Sequence, residues 1–356
     1  MKNLNNINQI LFFILAIFLL LYFGSSFLIP FVFGIFFAAL MTPFSNILEK
    51  YKINRIFSSL ISTLVIFIVA GGILSILIWQ LYLFMSEIGP VRNEIESVIQ
   101  DIQNQITSLF GLSLEEQKEL WQNRSDSILN AIEIWLTNVL GNILIIIANF
   151  LLVLVYVYLL LYYRNKLFHA VLMFVNPEKE IKARGILNNI SYLAYHYLWG
   201  RVKVMAILGI MYYITFLIFG IPYAILLTIF GALITIIPYL GPLISGLLPI
   251  LFGIIYLQDL PVILLFVAII ITEQLIESYV FEPMIIGREV KINPLIVIIA
   301  ITLGAMIWGV AGMILFVPMF AIFKIISSNT PGLEPVGYFF DTSGGYRNGE
   351  SGDRPK

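Results

Sequence analysis

The sequence predicts an all-α membrane protein: about six full transmembrane helices, two re-entrant helical hairpins and a small helical extracytoplasmic insertion. Three observations carry this. Of 356 residues, 60% are hydrophobic and 12% charged, with a mean hydropathy of +0.96, against about 25% charged in soluble domains. Charge-free stretches recur at lengths that span a hydrocarbon core of about 30 Å. Two of the longest are broken by helix-disrupting residues, one of them reading "TIIPYLGPLISGLLPI" at residues 235–250.

The first charge-free stretch, residues 3–48, would be about 69 Å of helix. It is long enough for two spans, turning at Gly24, Ser25 and Ser26. The run at 10–23 has the length of a signal-peptide core, but a second run follows at 27–44 with no convincing small-residue cleavage site between them. It is therefore expected to be a retained first span. Residues 56–86 give a third span, completing helices one to three within residues 1–84. The loop before it carries Lys50, Lys52 and Arg55 against Glu49, a cytoplasmic signature under the positive-inside rule.

Residues 85–135 form an acidic insertion. Nine carboxylates face Arg92, Lys118 and Arg124, and Ile95, Val98, Ile99, Ile102 and Ile106 recur at helical spacing. An outside helical loop is expected. Its adjacent Glu115 and Glu116 suit a solvated acidic face better than acid–base chemistry or a cation site. Helix four is placed at 136–163, stopping at Arg164.

Residues 164–201 reverse the balance. Between Arg164 and Lys203 there are seven Lys and Arg against Glu178 and Glu180, so this segment is read as cytoplasmic, with both termini on the same side. Its apolar Ile186, Leu187, Ile190, Leu193 and Tyr197 suggest an amphipathic helix on the membrane surface. The only histidines, His169 and His196, are 27 residues apart and lack metal-motif spacing.

The transport core is assigned to 202–326. Residues 204–258 run for 55 positions without charge, and Gly220, Ile221 and Pro222 close the fifth span. The remainder, 223–257, would be about 52 Å as one helix, too long for a single crossing. Divided at Pro238, Tyr239, Leu240, Gly241 and Pro242, each arm is about 22 Å, too short to cross alone. A re-entrant hairpin satisfies both limits; the alternative is a proline-kinked ordinary helix. A full span follows at 260–282, and 294–326 repeats the hairpin anatomy around "GAMIWGVAG", residues 304–312. If the first hairpin re-enters without crossing, Asp259 lies outside and Arg288 and Lys291 inside. Helix plus hairpin then occurs twice with opposite polarity, as in the inverted repeats of secondary transporters. The tail 327–356, rich in Gly, Pro, Ser and charge, is expected to be disordered.

Irregular backbone at membrane depth persists only where protein buries it or it lines a wet cavity. The broken tips are therefore the candidate substrate site: Pro238, Tyr239, Gly241 and Pro242 of the first hairpin with Gly304 and Gly309 of the second. Thr235, Ser245, Asn293 and Thr302 add hydroxyls and an amide for a small polar solute. Glu273 and Glu277 stand one helical turn apart on one face of the 260–282 span, and Glu282 marks its end. Intramembrane carboxylates suit coupling to a proton or Na⁺; the alternative is that they brace the hairpin tips.

Net charge is only −1, which gives no basic surface for nucleic acid. With no cysteine, disulfides, iron–sulfur clusters and thiol catalysis are excluded. Walker A, HExxH and nucleophile-elbow motifs are missing from the sequence, so neither an enzyme nor a cofactor is expected.

"IPYLGPLISGLLP" (237–249) and "EQLIESYVFEPMIIGREVKINPLIVIIAITLGAMIWGVAGMILFVPMFAIFKII" (273–326) resemble the core of the autoinducer-2 exporter family of bacterial membrane proteins. "FLLVLVYVYLLLYYRNKL" (150–167) resembles its fourth span. The resemblance covers about residues 9–326. It implies a homo-oligomer, a homopentamer, in the bacterial cytoplasmic membrane. Each protomer would move its two hairpins in an elevator-like manner to export a small polar solute such as autoinducer-2. Other members of the family resemble Na⁺(Li⁺)/H⁺ antiporters. An oligomeric channel is the competing class; it would favour a continuous polar lining over polar groups gathered at hairpin tips.

Overall fold

The computed structural model describes residues 2–86, 107, 134, 137–257, 259–286 and 292–342. The acidic stretch at 87–133, residue 107 apart, and the pair Arg288 and Lys291 lie outside them. Among the described residues the regular elements are helical, and six helices are long and apolar enough to cross a membrane when the kinked Pro294–Asn329 is counted end to end. A helix satisfies its own backbone, which lipid cannot do.

Helix α1 (Lys2–Phe23) turns at Gly24 into α2 (Ser25–Lys50). A short turn, with Lys52 at φ 65°, leads to α3 (Arg55–Ser86). Asn54 caps α3, its Oδ1 accepting from the Phe57 amide at 3.1 Å. Helix α4 (Ile143–Met173) packs on α2 and α3 around Val157 and Leu161, both fully buried. At the positive end of this bundle the Arg164 guanidinium donates to Ser45 Oγ at 3.0 Å and Asn46 Oδ1 at 2.7 Å, and pairs with Glu49 at 2.8 Å. Helix α4 thus runs nine residues past the expected stop at Arg164, because α2 supplies that charge with partners.

The expected surface segment and fifth span are one helix, α5 (Glu180–Phe219), 40 residues long. No proline interrupts it, and Gly200 sits against the Ile286 backbone, where a Cβ would lie 3.1 Å from Ile286 Cα. The boundary drawn at 201/202 therefore falls in mid-helix. Gly220, at φ 65°, closes α5 in the left-handed conformation.

The first hairpin is α6 (Ala224–Ile234) and α7 (Leu240–Tyr256), which pack together. The break occupies residues 235–239, so Pro242 falls in the first turn of α7 rather than in the break. Helix α8 (Leu260–Ile276) continues as a π-helix, Glu277–Ile286, with Pro283 inside it. Proline lacks the N–H an α-turn requires, and a widened turn absorbs that loss.

Helix α9 (Pro294–Asn329) is two arms joined at Gly309, φ 60° and ψ −137°. Eight residues of straight helix would separate Gly304 from Gly312 by about 12 Å. Instead their backbones touch, so that a Cβ on either would collide with the carbonyl of the other. The chain therefore doubles back. Both hairpins pack against α5, the second also against α1 and α2, where Trp308 Nε1 donates to the Leu21 carbonyl at 2.8 Å.

The expectation of a disordered tail from residue 327 fails for its first part. Helix α9 continues to Asn329, and α10 (Glu334–Phe339) folds back on it. Phe340 is buried against Phe320, Lys324 pairs with Asp341 at 3.0 Å, and the Asn293 amide donates to the Phe340 carbonyl at 2.9 Å. Overall composition hid the anchoring effect of a short apolar stretch, Val336 to Phe340, within a polar segment. Residues 343–356 lie outside the described part.

Candidate functional site

The buried charged side chains Arg201, Glu273 and Glu277 gather along the contact between α5 and α8, apart from a second buried polar group, Ser45, Ser58, Ser59, Ser62 and Thr63, on α2 and α3. Helices α5 and α8 run antiparallel, so positions rising along α5 meet positions falling along α8. Glu273 is 7% exposed and Glu277 fully buried. Glu273 Oε1 accepts a 2.6 Å hydrogen bond from Thr215 Oγ1 of α5. Glu277 Oε2 accepts from Ser278 at 3.0 Å, and its Oε1 lies 3.9 Å from Arg201 Nη1. The other arm of that guanidinium pairs with Glu282 at 2.9 Å. Arg201 is buried between the two carboxylates of the π-helix, with Tyr197 of α5 also interacting with it.

The second half of the cluster reaches the first hairpin. Tyr212 of α5 stands 3.1 Å from Ser245 Oγ of α7, and Gln274 Nε2 donates to the Tyr212 hydroxyl. Gly231 of α6 makes room for the phenol ring, where a Cβ would lie 3.0 Å from Tyr212 Cε2. Several buried atoms make no hydrogen bond among the described residues: Glu273 Oε2, Glu277 Oε1, Gln274 Oε1, and Arg201 Nε and Nη1 at this joint, with Thr228 Oγ1 on α6 and Ser59 Oγ on α3 away from it. An unpaired buried polar atom costs about 1–3 kcal/mol. The concentration of such atoms at one helix joint marks it as a site able to bind a polar partner or take up a proton.

Of the sequence-predicted residues, this joint unites Glu273, Glu277 and Ser245. It does not gather the others. Thr235 is fully buried but donates to its own helix, at Ala232 O, 2.7 Å. Pro238 and the exposed Tyr239, with its positive φ of 63°, form the first break. Gly241 is buried where a Cβ would collide with the Ile234 carbonyl, and Pro242 follows it. Gly304 and Gly309 shape the second hairpin. Thr302 is exposed and donates to Ile298 O at 2.9 Å. Asn293 lies at the base of that hairpin, capping α9 through a 3.0 Å bond from the Leu295 amide to its Oδ1. The glutamates are bonded to α5 and to Ser278 rather than to either tip.

Sequence reasoning missed Arg201, Tyr212, Thr215, Gln274 and Glu282. Arg201 looked like one more cytoplasmic charge beside Lys203, and its pairing with Glu282 is visible only once α5 is continuous. Single hydroxyls within an apolar run carry no periodic signal. Among the described residues no group of three or more His, Cys, Asp or Glu side chains is placed to hold a metal ion.

The chain covers 90% of itself and 91% of its partner in a 25% identical match to YueF of Bacillus subtilis (strain 168). With YrrI of the same organism it is 33% identical over 36% of each chain. Both carry the name "Putative transport protein". It is 21% identical to the AI-2 transport protein TqsA of Escherichia coli (strain K12) over 88% of this chain and 89% of that one. Residues 11–332 match the model of the AI-2E family transporter. With its membrane-length helices and this coverage of nearly the whole chain, the protein is a multi-pass membrane protein belonging to the AI-2E transporter family.

Proposed function

We propose that the chain is a secondary transporter that exports a small polar solute of the autoinducer-2 kind, moving its two hairpins in an elevator-like manner. The observation that carries this is the bond set joining a hairpin arm to the buried carboxylate helix: Ser245 to Tyr212, and Tyr212 to Gln274, one residue from Glu273. Displacing the first hairpin along α5 would break and remake these contacts, tying hairpin position to the state of the cluster. Small hydroxyl and amide groups suit a polyol-like solute, and the name of the relative TqsA points to the same solute class.

A second reading, a Na⁺(Li⁺)/H⁺ antiporter, is favoured by one observation: Glu273 Oε2 and Glu277 Oε1 are carboxylate oxygens with no hydrogen-bond donor among the described residues. In both readings Glu273 and Glu277 carry the coupling ion. The working form is a homopentamer in the bacterial cytoplasmic membrane, with the termini and the 50–55 turn on the cytoplasmic side, and each hairpin enters and leaves on one side. Vesicles reconstituted with the purified protein test it. Counterflow of autoinducer-2 that is saturable, with no Na⁺-driven proton flux, supports the exporter; the opposite pattern supports the antiporter. Conductance without saturation or counterflow would replace both with a channel.

A further inference from the structure

We propose that the end of the α3–α4 contact nearest the 51–54 turn is a binding site for one anionic phospholipid, with its headgroup in a basic pocket and its acyl chains on two apolar stripes. The pocket is about 520 Å³ and is lined by Asn54, Arg55, Ile56, Tyr162, Tyr163 and Lys166. Two cations, Arg55 and Lys166, line it, and Lys50, Lys52 and Arg164 are their near neighbours in the chain. One carboxylate, Glu49, answers them, and it is already shared between Arg164 at 2.8 Å and Arg55 at 3.4 Å. Among the described residues no carboxylate pairs with Lys50, Lys52 or Lys166. Lys166 Nζ instead lies 5.9 Å from the centroid of the Tyr163 ring, at the pocket wall.

The apolar surface beside the pocket points the same way independently of charge. From pocket residue Ile56, exposed Leu60, Leu64 and Ile68 follow at four-residue steps along α3. From pocket residue Tyr163, exposed Leu159, Val155 and Leu151 do the same along α4. Both stripes therefore start at the pocket and run away from the charged end. Twelve residues of helix are about 18 Å, close to one leaflet of a core about 30 Å thick. A phosphate group over basic side chains, with two chains descending from it, matches both features. A free phosphate would use only the first. Basic pockets between transmembrane helices on the positive side are suited to anionic headgroups.

Native mass spectrometry of the full-length protein, equilibrated with phosphatidylglycerol and phosphatidylcholine in equal amounts, tests the site. The expected result is one phosphatidylglycerol retained per chain in preference to phosphatidylcholine, displaced neither by inorganic phosphate nor by a six-carbon-chain phosphatidylglycerol. Arg55→Gln with Lys166→Gln should weaken retention about 30-fold, since each basic group near the surface contributes about a factor of five. Lys50→Gln with Lys52→Gln, outside the pocket lining, should weaken it less. Equal retention of the two lipids by the unaltered protein would overturn the proposal, whatever the variants do. So would displacement by inorganic phosphate, or a change in the number of assembled chains in place of lipid loss, which would make this face a contact between copies.

Discussion

Glu273 and Thr215 join α8 to α5 through a 2.6 Å hydrogen bond that engages one carboxylate oxygen, while the other oxygen has no donor among the described residues. A carboxylate held on one side and open on the other can change its proton or cation occupancy without losing its position. Replacing Glu273 and Glu277 together by Gln keeps shape and hydrogen bonding and removes the charge. Transport driven by a pH or Na⁺ gradient should disappear, while exchange of solute at equal concentrations continues. Survival of gradient-driven transport in the double variant would remove the coupling role. Parallel loss of both activities would indicate a bracing role.

Arg201 should behave as part of a unit. Alone, Arg201→Met leaves Glu277 buried without its cation and should lower stability by about 3–5 kcal/mol. Adding Glu277→Gln should restore a large part of that loss. A thermal-unfolding cycle on the detergent-solubilised protein reads the coupling, and additive effects of the two substitutions would contradict it.

The second hairpin depends on two backbones in contact. Gly304→Ala or Gly312→Ala places a methyl group against a carbonyl that cannot rotate away, and both should lower the unfolding midpoint and abolish transport. Gly309→Ala has open space around it but the wrong dihedral region, with φ 60°. Its penalty should be confined to backbone strain, about 1–3 kcal/mol.

At the first tip, Pro238 lies within the break and Pro242 in a first helical turn, where proline is tolerated. Pro238→Ala should therefore impair transport while the protein still inserts and assembles, and Pro242→Ala should be close to neutral. Tyr239→Gly relieves a positive φ and should raise stability by about 1 kcal/mol. Equal effects of the two proline substitutions in a transport assay would argue against a role specific to the break.

Topology is open to direct labelling, because the chain has no cysteine. Asp259→Cys should react with an impermeant thiol reagent from outside and Lys52→Cys only from the cytoplasmic side. Labelling of Asp259→Cys solely from the cytoplasm would mean that the first hairpin crosses the membrane.

The two hairpins were legible because proline and glycine inside a charge-free run break a helix whose length alone already exceeds one crossing. The apolar runs followed from hydropathy, since lipid tolerates little charge, but helix lengths did not, for α4 continues past Arg164 to Met173 and α5 begins at Glu180. What stayed hidden was pairing across elements. Thr302 and Asn293 look like ligand groups from their residue types, yet their partners are the Ile298 carbonyl and the Leu295 amide, both local. Arg201 and Glu282 are 81 positions apart in the chain, and only the unbroken run of α5 brings them within 2.9 Å. The end of the chain shows the converse. Composition argued for disorder, but Phe340 fits against Phe320 and carries its neighbours with it.

The π-helix gives the Arg201 arrangement a dependence on pitch. Glu277 and Glu282 are five residues apart, the spacing of one π-helical hydrogen bond, and on the widened turn both reach the same guanidinium. At α-helical pitch five residues sweep about 500°, which leaves the two carboxylates about 140° apart around the axis. Arg201 could then hold only one of them. The local winding of ten residues thus acts as a counter of how many negative charges face α5, and any rotation of the chain below Glu277 registers there as a gain or loss of one.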